Sequence, residues 1–319
     1  MDTRSDGRVA AMGRHLSPLP PSLRRAADEQ HGFVTVRQCA AAGVDFRARQ
    51  RRLISAVWRE PVSGVFDVEP TAQRDIPAAE RRAVELAMIA AGEGSAAVGL
   101  AALRLHGCWS LPRTWTARAV RASRRRGKGG GQNDGFSITT AQGRRAATVA
   151  WAIVHALPHL DRLHLIGVLD WALHEGHIAS VNQVATLGAR HRGIGKVREW
   201  GPLADGRAES FLETWARVQC IDAGLPPTTL QLPLRDIDGN VRARGDLAWQ
   251  LPDGRWLVVE IDGASIHDAP GSVRRDRRRQ NWMVGEQVVV LRYDVTDLRQ
   301  GLLPAEIRWT IRRLSAGAA

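Results

Sequence analysis

Trp256-Leu257-Val258-Val259-Glu260-Ile261-Asp262-Gly263 is an apolar run, rich in β-branched residues, that ends in two acids and a glycine. It lies in the C-terminal third of the chain, where the sequence pattern is strongest. The run follows the turn sequence Pro252-Asp253-Gly254 and predicts a buried strand over 256–261. Alternate residues on a strand share a face, so Glu260 and Asp262 are expected to point the same way.

The flanking segments alternate between helical and strand patterns. Their order, helix, three strands, helix, strand, predicts an α/β (α+β) domain over 203–319 with an α-β-β-β-α-β core. The Asp238-Gly239 pair predicts a tight turn between the first two strands. The predicted elements are helices over Ala208–Ala223, Ala269–Met283 and Ala305–Leu314, with strands over Leu230–Leu234, Val241–Gln250, Trp256–Ile261 and Gln287–Tyr293.

Acidic residues gather at one point of this predicted sheet. Asp246 lies in the second strand, and pairing of the second and third strands brings it beside the face of Glu260 and Asp262. Glu209, on the predicted first helix, could complete the cluster. Such carboxylates repel one another unless a cation lies among them, and hard oxygen ligands suit Mg²⁺, or Mn²⁺ in its place. A divalent metal held by carboxylates is the usual apparatus for phosphodiester hydrolysis.

The order of these residues carries a family resemblance. The C-terminal domain resembles PD-(D/E)XK nucleases of the restriction-endonuclease-like fold, and most closely the very-short-patch-repair-like (Vsr-like) endonucleases. The resemblance implies that Asp246 and Glu260 coordinate the metal and that Glu209 is a further ligand or positions one. It rests on Glu209-Ser210, Leu212-Glu213, Gly245-Asp246-Leu247-Ala248, Val259-Glu260-Ile261-Asp262-Gly263, His267, Arg275-Asp276, Arg279 and Val289-Leu291-Arg292.

One position departs from the pattern of that fold. The lysine expected two residues after the second acid is Asp262 here. The attacking water then needs another activator, for which the candidates are His267 as a base or a second metal bound by Asp262. A degenerate nuclease fold kept for binding is the alternative.

The N-terminal part predicts three short helices and a hairpin over 22–75, after a disordered lead over 1–21. Thr35 and Asp45 predict the N-caps of the second and third helices, Val36–Ala42 and Phe46 to about Ile54. Trp58–Val68 predicts the hairpin. This arrangement is typical of a winged helix-turn-helix. It resembles the winged-helix domain of abortive-infection type IV antitoxins through His31-Gly32-Phe33-Val34-Thr35 and Ala40-Ala41-Ala42-Gly43-Val44.

Two arginine-rich helices are the candidate nucleic-acid-binding segments. The second helix of a helix-turn-helix motif enters the DNA major groove, where arginine binds guanine edges or phosphates. In the third N-terminal helix, Phe46, Leu53 and Ile54 are expected to anchor the arginines to the domain. The C-terminal arginines follow the acidic cluster directly and would hold a phosphate backbone. The candidates are Arg47, Arg49, Arg51, Arg52, Arg274, Arg275 and Arg278.

The middle region, 76–202, predicts a mostly helical connector. His155 and His159 are separated by Pro158, which disrupts the helix that a metal-binding pair needs. The glycine-rich run Gly127–Gly131 lacks the spacing of a phosphate-binding loop, so no nucleotide cofactor is expected.

The composition of the chain limits its possible partners and its cellular compartment. The chain has 45 basic and 33 acidic residues, a net charge of +12 that favours a polyanionic partner. No apolar stretch is long enough to span a membrane. Three widely spaced cysteines, without metal-type spacing, favour a reducing, cytoplasmic compartment.

The leading hypothesis is therefore a metal-dependent DNA endonuclease with an N-terminal DNA-binding winged helix. The alternative is a non-catalytic transcriptional regulator or type IV antitoxin that carries a degenerate nuclease fold. Action on a damaged or mismatched base pair is a third, narrower possibility.

Overall fold

The computed structural model describes residues 17–121, 136–235, 238–263 and 288–316. The described residues have a mixed α/β architecture with three sheets. The chain divides into two compact units, 1–95 with 119–122 and 96–118 with 123–319. The predicted boundary at 202/203 is not a division between these units.

The first unit is a small three-stranded sheet with helices. Its elements are α1 (Pro21–Glu29), β1 (Phe33–Thr35), α2 (Val36–Ala41), α3 (Phe46–Ile54), β2 (Arg59–Val62), β3 (Val65–Asp67) and α4 (Ile76–Ala91). The strands are antiparallel in the order β1-β3-β2. Residues 1–16 of the predicted disordered lead lie outside the described residues, and α1 begins at the end of that lead.

Local capping explains where the helices of this unit begin. Thr35 forms a capping box with Gln38 at the start of α2, and Asp45 accepts the Ala48 N–H at 2.7 Å at the start of α3. Both predicted N-caps are confirmed. The apolar core beneath the helices contains Leu23, Ala27, Val34, Cys39, Val44, Trp58, Phe66 and Val68.

Helix α4 packs on this small sheet, so the predicted boundary at 75/76 separates two elements that belong together. Arg82 makes the connection, because its guanidinium pairs with Asp67 at 2.6 Å and lies over the Phe33 ring at 4.3 Å. It also donates to the carbonyl oxygen of His31. Gly32 leaves room for the Arg82 guanidinium, because a side chain at position 32 would place its Cβ atom on that group.

The middle region contains strands as well as helices, so the prediction of a mostly helical connector missed a sheet. Strand β7 lies between β4, to which it is parallel, and β6. These strands have four residues each and are rich in alanine, arginine or threonine, so the sequence lacks the apolar alternation that signals a strand. The elements are β4 (Ser95–Val98), α5 (Leu100–Leu105), β5 (Arg118–Arg121), β6 (Ile138–Ala141), β7 (Arg144–Ala147), α6 (Val149–Ala156), α7 (Arg162–His174), α8 (Val181–Leu187) and α9 (Ile194–Trp200).

Among the residues that the structure describes, the C-terminal part contains a four-stranded sheet with helices packed against one of its faces. Its elements are α10 (Phe211–Asp222), β8 (Thr229–Arg235), β9 (Val241–Gln250), β10 (Trp256–Ile261), β11 (Val288–Tyr293), α11 (Val295–Gln300) and α12 (Leu303–Ala316). The sheet order is β11-β10-β9-β8, with β8, β9 and β10 antiparallel and β11 parallel to β10. The predicted strands over 241–250 and 256–261 are confirmed. The predicted helix over 269–283 lies outside the described residues.

The helices cover the face formed by the odd-numbered residues of β9 and β10. Leu247, Trp249, Leu257 and Val259 are buried against residues of α10, α11 and α12, including Cys220 and Ile307. By the same alternation, Val258 and Glu260 of β10 point to the opposite face.

A buried ion pair joins the middle region to the C-terminal part. Asp170 on α7 is fully buried and lies 2.6 Å from Nη2 of Arg217 on α10. Its carboxylate also accepts the Thr214 hydroxyl at 2.6 Å and the Asp205 N–H at 2.7 Å. Nearly every lone pair of this buried charge is thereby used, as burial of a carboxylate requires. The region 76–202 is thus more than a spacer.

Candidate active site

The two predicted metal-binding acids lie on neighbouring central strands. The pair Val259↔Leu247 ends the antiparallel ladder of β9 and β10, and the next position in that register places Glu260 opposite Asp246. The pairing of β9 with β10 therefore places Asp246 and Glu260 at the same level of adjacent strands.

Asp246 is held by the backbone of the adjacent strand. Its Oδ2 accepts the Ile261 N–H at 2.8 Å, and its Oδ1 lies 3.5 Å from Nε2 of Gln231 on β8. The flanking pairs Leu230↔Leu247 and Leu232↔Gly245 place Gln231 opposite Asp246. Both carboxylate oxygens are thus fixed from two neighbouring strands.

Gln231 was not singled out from the sequence, yet its amide lies between two acids. The same Nε2 donates to Oε2 of Glu213 at 3.0 Å. Its backbone has a φ of +51°, in the left-handed region that residues with a Cβ rarely adopt. Such strain persists only where the surroundings impose it, and it concentrates at functional sites. A periodicity argument has no signal for this conformation.

Glu213, not Glu209, is the acid of α10 that connects to Asp246. Glu213 is 9% exposed, and its Oε2 accepts the Glu209 N–H at 2.9 Å as well as the Gln231 amide. Burial raises the pKa of the Glu213 carboxyl. Glu209 is exposed, with its Oε1 3.7 Å from Nη1 of Arg244.

The difference arises where the helix begins. The sequence predicts a helix from Ala208, which puts Glu209 and Glu213 on one helical face. The structure begins α10 at Phe211, with Ser210 as its N-cap, so Glu209 precedes the helix. Glu213, and not the predicted Glu209, is therefore the glutamate connected to Asp246 through the Gln231 amide.

Glu260 is buried and paired with an arginine of β11. It is 4% exposed, and its Oε2 lies 2.8 Å from Nη2 of Arg292, which occupies the matching position of the parallel ladder. From the sequence, Arg292 enters only as part of the resemblance to Vsr-like endonucleases. A charged residue inside the apolar run Val288–Tyr293 was the available signal, because a charge in a buried strand requires a partner.

Asp262 lies directly after β10 and is exposed, while its N–H donates to the Tyr293 carbonyl oxygen at 2.8 Å. The other predicted residues of this region, the candidate base and the C-terminal arginines, lie outside the described residues. They are His267, Arg274, Arg275 and Arg278. The glycine-rich run 127–131 also lies outside them.

The structure brings fewer acids together than the magnesium cluster predicted from the sequence. Within 17–121, 136–235, 238–263 and 288–316, there is no group of three or more His, Cys, Asp or Glu residues arranged to hold a metal. Mg²⁺ commonly takes one or two carboxylates and fills its other positions with water and phosphate oxygens. Asp246 and Glu260 meet that requirement, whereas Glu209 is directed to Arg244.

In the first unit, helix α3 exposes two of its four predicted DNA-binding arginines. Arg47 and Arg51 are exposed. Arg49 is half-buried, donates to the Val44 carbonyl oxygen at 3.0 Å and lies 5.8 Å from the Phe66 ring centre. These contacts hold Arg49 along the surface of the unit.

Arg52 is 6% exposed, so its prediction as a groove-contacting residue is corrected. Its guanidinium donates to the Ser17 carbonyl oxygen at 2.6 Å and lies 5.3 Å from the Trp58 ring centre. Two of the predicted apolar anchors of this helix are not buried, since the Phe46 residue is 64% exposed and Ile54 is 83% exposed. Arginine has a long apolar stem, so it can fill a core position that a polarity pattern assigns to the surface.

Among the described residues, no helix is long and apolar enough to cross a membrane. No family model matches the chain. Two relatives, both named as uncharacterized proteins of Mycobacterium tuberculosis (strains CDC 1551 / Oshkosh and ATCC 25618 / H37Rv), are each 38% identical to it over 151 residues. The match covers 46% of this chain and 54% of each relative, so the chain spans about half the length of the curated relatives it matches.

Proposed function

We propose that this protein is a metal-dependent DNA endonuclease that hydrolyses phosphodiester bonds. The observation that carries the proposal is the juxtaposition of Asp246 and Glu260 on the two central strands of the C-terminal sheet. The element order α10-β8-β9-β10, followed by β11 parallel to β10, is consistent with a restriction-endonuclease-like core. The resemblance of these residues to Vsr-like endonucleases supports the same assignment.

Asp246 and Glu260 would hold the metal, Mg²⁺ or Mn²⁺. When bound, the ion would supply an activated water and would stabilise the charge that develops on the phosphate. The residues of the chain orient this pair: the Ile261 N–H and the Gln231 amide fix Asp246, and Arg292 fixes Glu260. Preorganised ligands of this kind reduce the reorganisation needed during reaction.

DNA is the proposed substrate because a second surface of the chain suits it. The order helix, strand, helix, helix and hairpin in the first unit is consistent with a winged helix-turn-helix, with α3 as the recognition helix. Arg47 and Arg51 would contact DNA there, and the net charge of +12 favours a polyanion. The three cysteines are free and buried, which supports a cytoplasmic location.

Cleavage of supercoiled plasmid and of a mismatched duplex with Mg²⁺ or Mn²⁺ tests the proposal. Asp246→Asn keeps an acceptor for the Ile261 N–H but removes the charge, and it should slow nicking at least ~100-fold, since a metal supplies several kcal/mol to such reactions. The control is Asp253→Asn, which neutralises a carboxylate in the turn before β10. Binding without nicking by the wild-type protein under both metals would refute the endonuclease.

A non-catalytic DNA-binding regulator or antitoxin is the second candidate. It is favoured by the ion pair that already engages Glu260 and by Asp262 at the position where the resemblance expects lysine. Faster cleavage of the mismatched duplex than of its matched form would identify the narrower repair activity.

A further inference from the structure

We propose that Arg292 binds a phosphate of the DNA substrate beside the acidic pair. This inference rests on the proposed DNA-binding function and names a residue that was not among the candidates from sequence. It begins from a row of polar residues on the four neighbouring strands of the C-terminal sheet: Gln231, Asp246, Glu260 and Arg292.

The ion pair is asymmetric in its exposure. The Glu260 side chain is 5% exposed, whereas that of Arg292 is 27% exposed. Arg292 is therefore the member of the pair that solvent, and an incoming anion, can reach.

The chemistry of the guanidinium suits a second anion. Its Nη2 bonds Glu260, and a guanidinium carries five N–H donors in a rigid planar fork. That fork matches the oxygens of a phosphate, and arginine keeps its positive charge at every physiological pH. Arg292 can thus hold Glu260 with one edge and a phosphate oxygen with another.

The negative charge of the acidic residues in this row also favours a nearby cation. Asp246 and Glu260 are neighbours, and Asp262 follows two residues later on the chain. A phosphodiester would approach these carboxylates against their repulsion. Arg292 offsets it from β11, the strand next to Glu260. Arginine is too weak an acid to act as a proton shuttle, so its role is electrostatic binding and not water activation.

The test is the salt dependence of DNA binding in EDTA, where no cleavage occurs. Affinity for a 20-base-pair duplex is measured by fluorescence anisotropy between 50 and 250 mM NaCl. Each phosphate contact contributes ~0.9 to the slope of log affinity against log salt. Arg292→Gln should lower that slope by ~0.9, and Arg292→Lys should weaken binding while keeping the slope.

Arg255→Gln is the matched control. The Arg255 side chain is also 27% exposed and also pairs with a carboxylate, Asp253 at 2.6 Å, but in the turn at the other end of β10. Its loss should leave the slope unchanged. If Arg292→Gln fails to fold because Glu260 is left buried without its counterion, Glu260→Gln combined with Arg292→Gln removes both charges and should lower the slope equally.

Each outcome decides one proposal. An unchanged slope for Arg292→Gln or for the double variant, or an equal loss for Arg255→Gln, would overturn the role of Arg292. Cleavage by the wild-type protein, together with an unchanged slope for Arg292→Gln, would support the endonuclease and refute the role of Arg292. DNA binding without cleavage, together with a slope lowered by ~0.9, would support Arg292 and refute hydrolysis. Absence of DNA binding by the wild-type protein would refute both.

Discussion

Replacement of Asp170 by alanine should destabilise the packing of α7 on α10 by about 3–5 kcal/mol. This is the usual consequence of removing one member of a buried ion pair. Asp170 is 0% exposed and accepts bonds from Arg217, Thr214 and the Asp205 N–H. The substitution leaves the Arg217 charge, on a side chain 5% exposed, without its carboxylate. The cost therefore exceeds that of three neutral hydrogen bonds.

Hydrogen–deuterium exchange of peptides from α7 and α10 measures this cost. A loss of 3–5 kcal/mol corresponds to exchange that is roughly 100- to 4000-fold faster wherever opening controls it. The double variant Asp170→Ala with Arg217→Met should exchange more slowly than Asp170→Ala, because it no longer buries an uncompensated charge.

The single variant Arg217→Met has a distinct signature. Its stranded carboxyl can be neutralised by protonation, so its stability should improve as the pH falls from 8 to 5, whereas that of Asp170→Ala should not. Exchange less than 10-fold faster in Asp170→Ala, or a double variant no better than it, would refute the assignment of this pair as a structural connection.

Two further predictions concern the candidate surfaces. Burial raises the pKa of Glu213 above its ordinary 4.5, so the stability that this group contributes is full below pH 4.5 and is lost as the pH rises through the folded-state pKa. In Glu213→Gln, the side-chain carbonyl can accept both hydrogen bonds now made to Oε2. This variant should therefore melt at a higher temperature than the wild-type protein at pH 8 and lose that advantage near pH 4. Equal melting temperatures of the two proteins at pH 8 would contradict the prediction. The double variant Arg47→Gln with Arg51→Gln should lower the salt slope of DNA binding by ~1.8 without changing the melting temperature. Arg52→Ala, in contrast, should lower the melting temperature. An unchanged slope in the double variant would show that α3 is not part of the DNA interface.

The sequence predicts those parts of the fold that local signals determine. The capping residues Thr35 and Asp45 locate α2 and α3, and the turn at Asp253 separates two strands whose bounds agree with the structure. Asp246 and Glu260 are found adjacent because pairing of consecutive strands follows from a short turn. These are short-range consequences of residue type and spacing.

The partners of the candidate site depend on register and burial between distant segments. Arg292 meets Glu260 only through the parallel pairing of β10 with β11, and Gln231 reaches Asp246 with a φ that no pattern indicates. The choice of Glu213 over Glu209 depends on the starting residue of α10. Arg52 fills a core position because its apolar stem can be buried and its guanidinium lies over the Trp58 ring.

The parallel pairing of β10 with β11 also sets an order for assembly. The β9–β10 hairpin can close locally and bring Asp246 to the Ile261 N–H, a contact between residues 15 positions apart. Parallel strands cannot be joined by a tight turn, so β11 docks only after the chain has crossed back over 262–287. Closure of that longer loop carries an entropic cost before its contacts form. The contact between Glu260 and Arg292 joins residues 32 positions apart, so we expect it to form later than the contact between Asp246 and the Ile261 N–H.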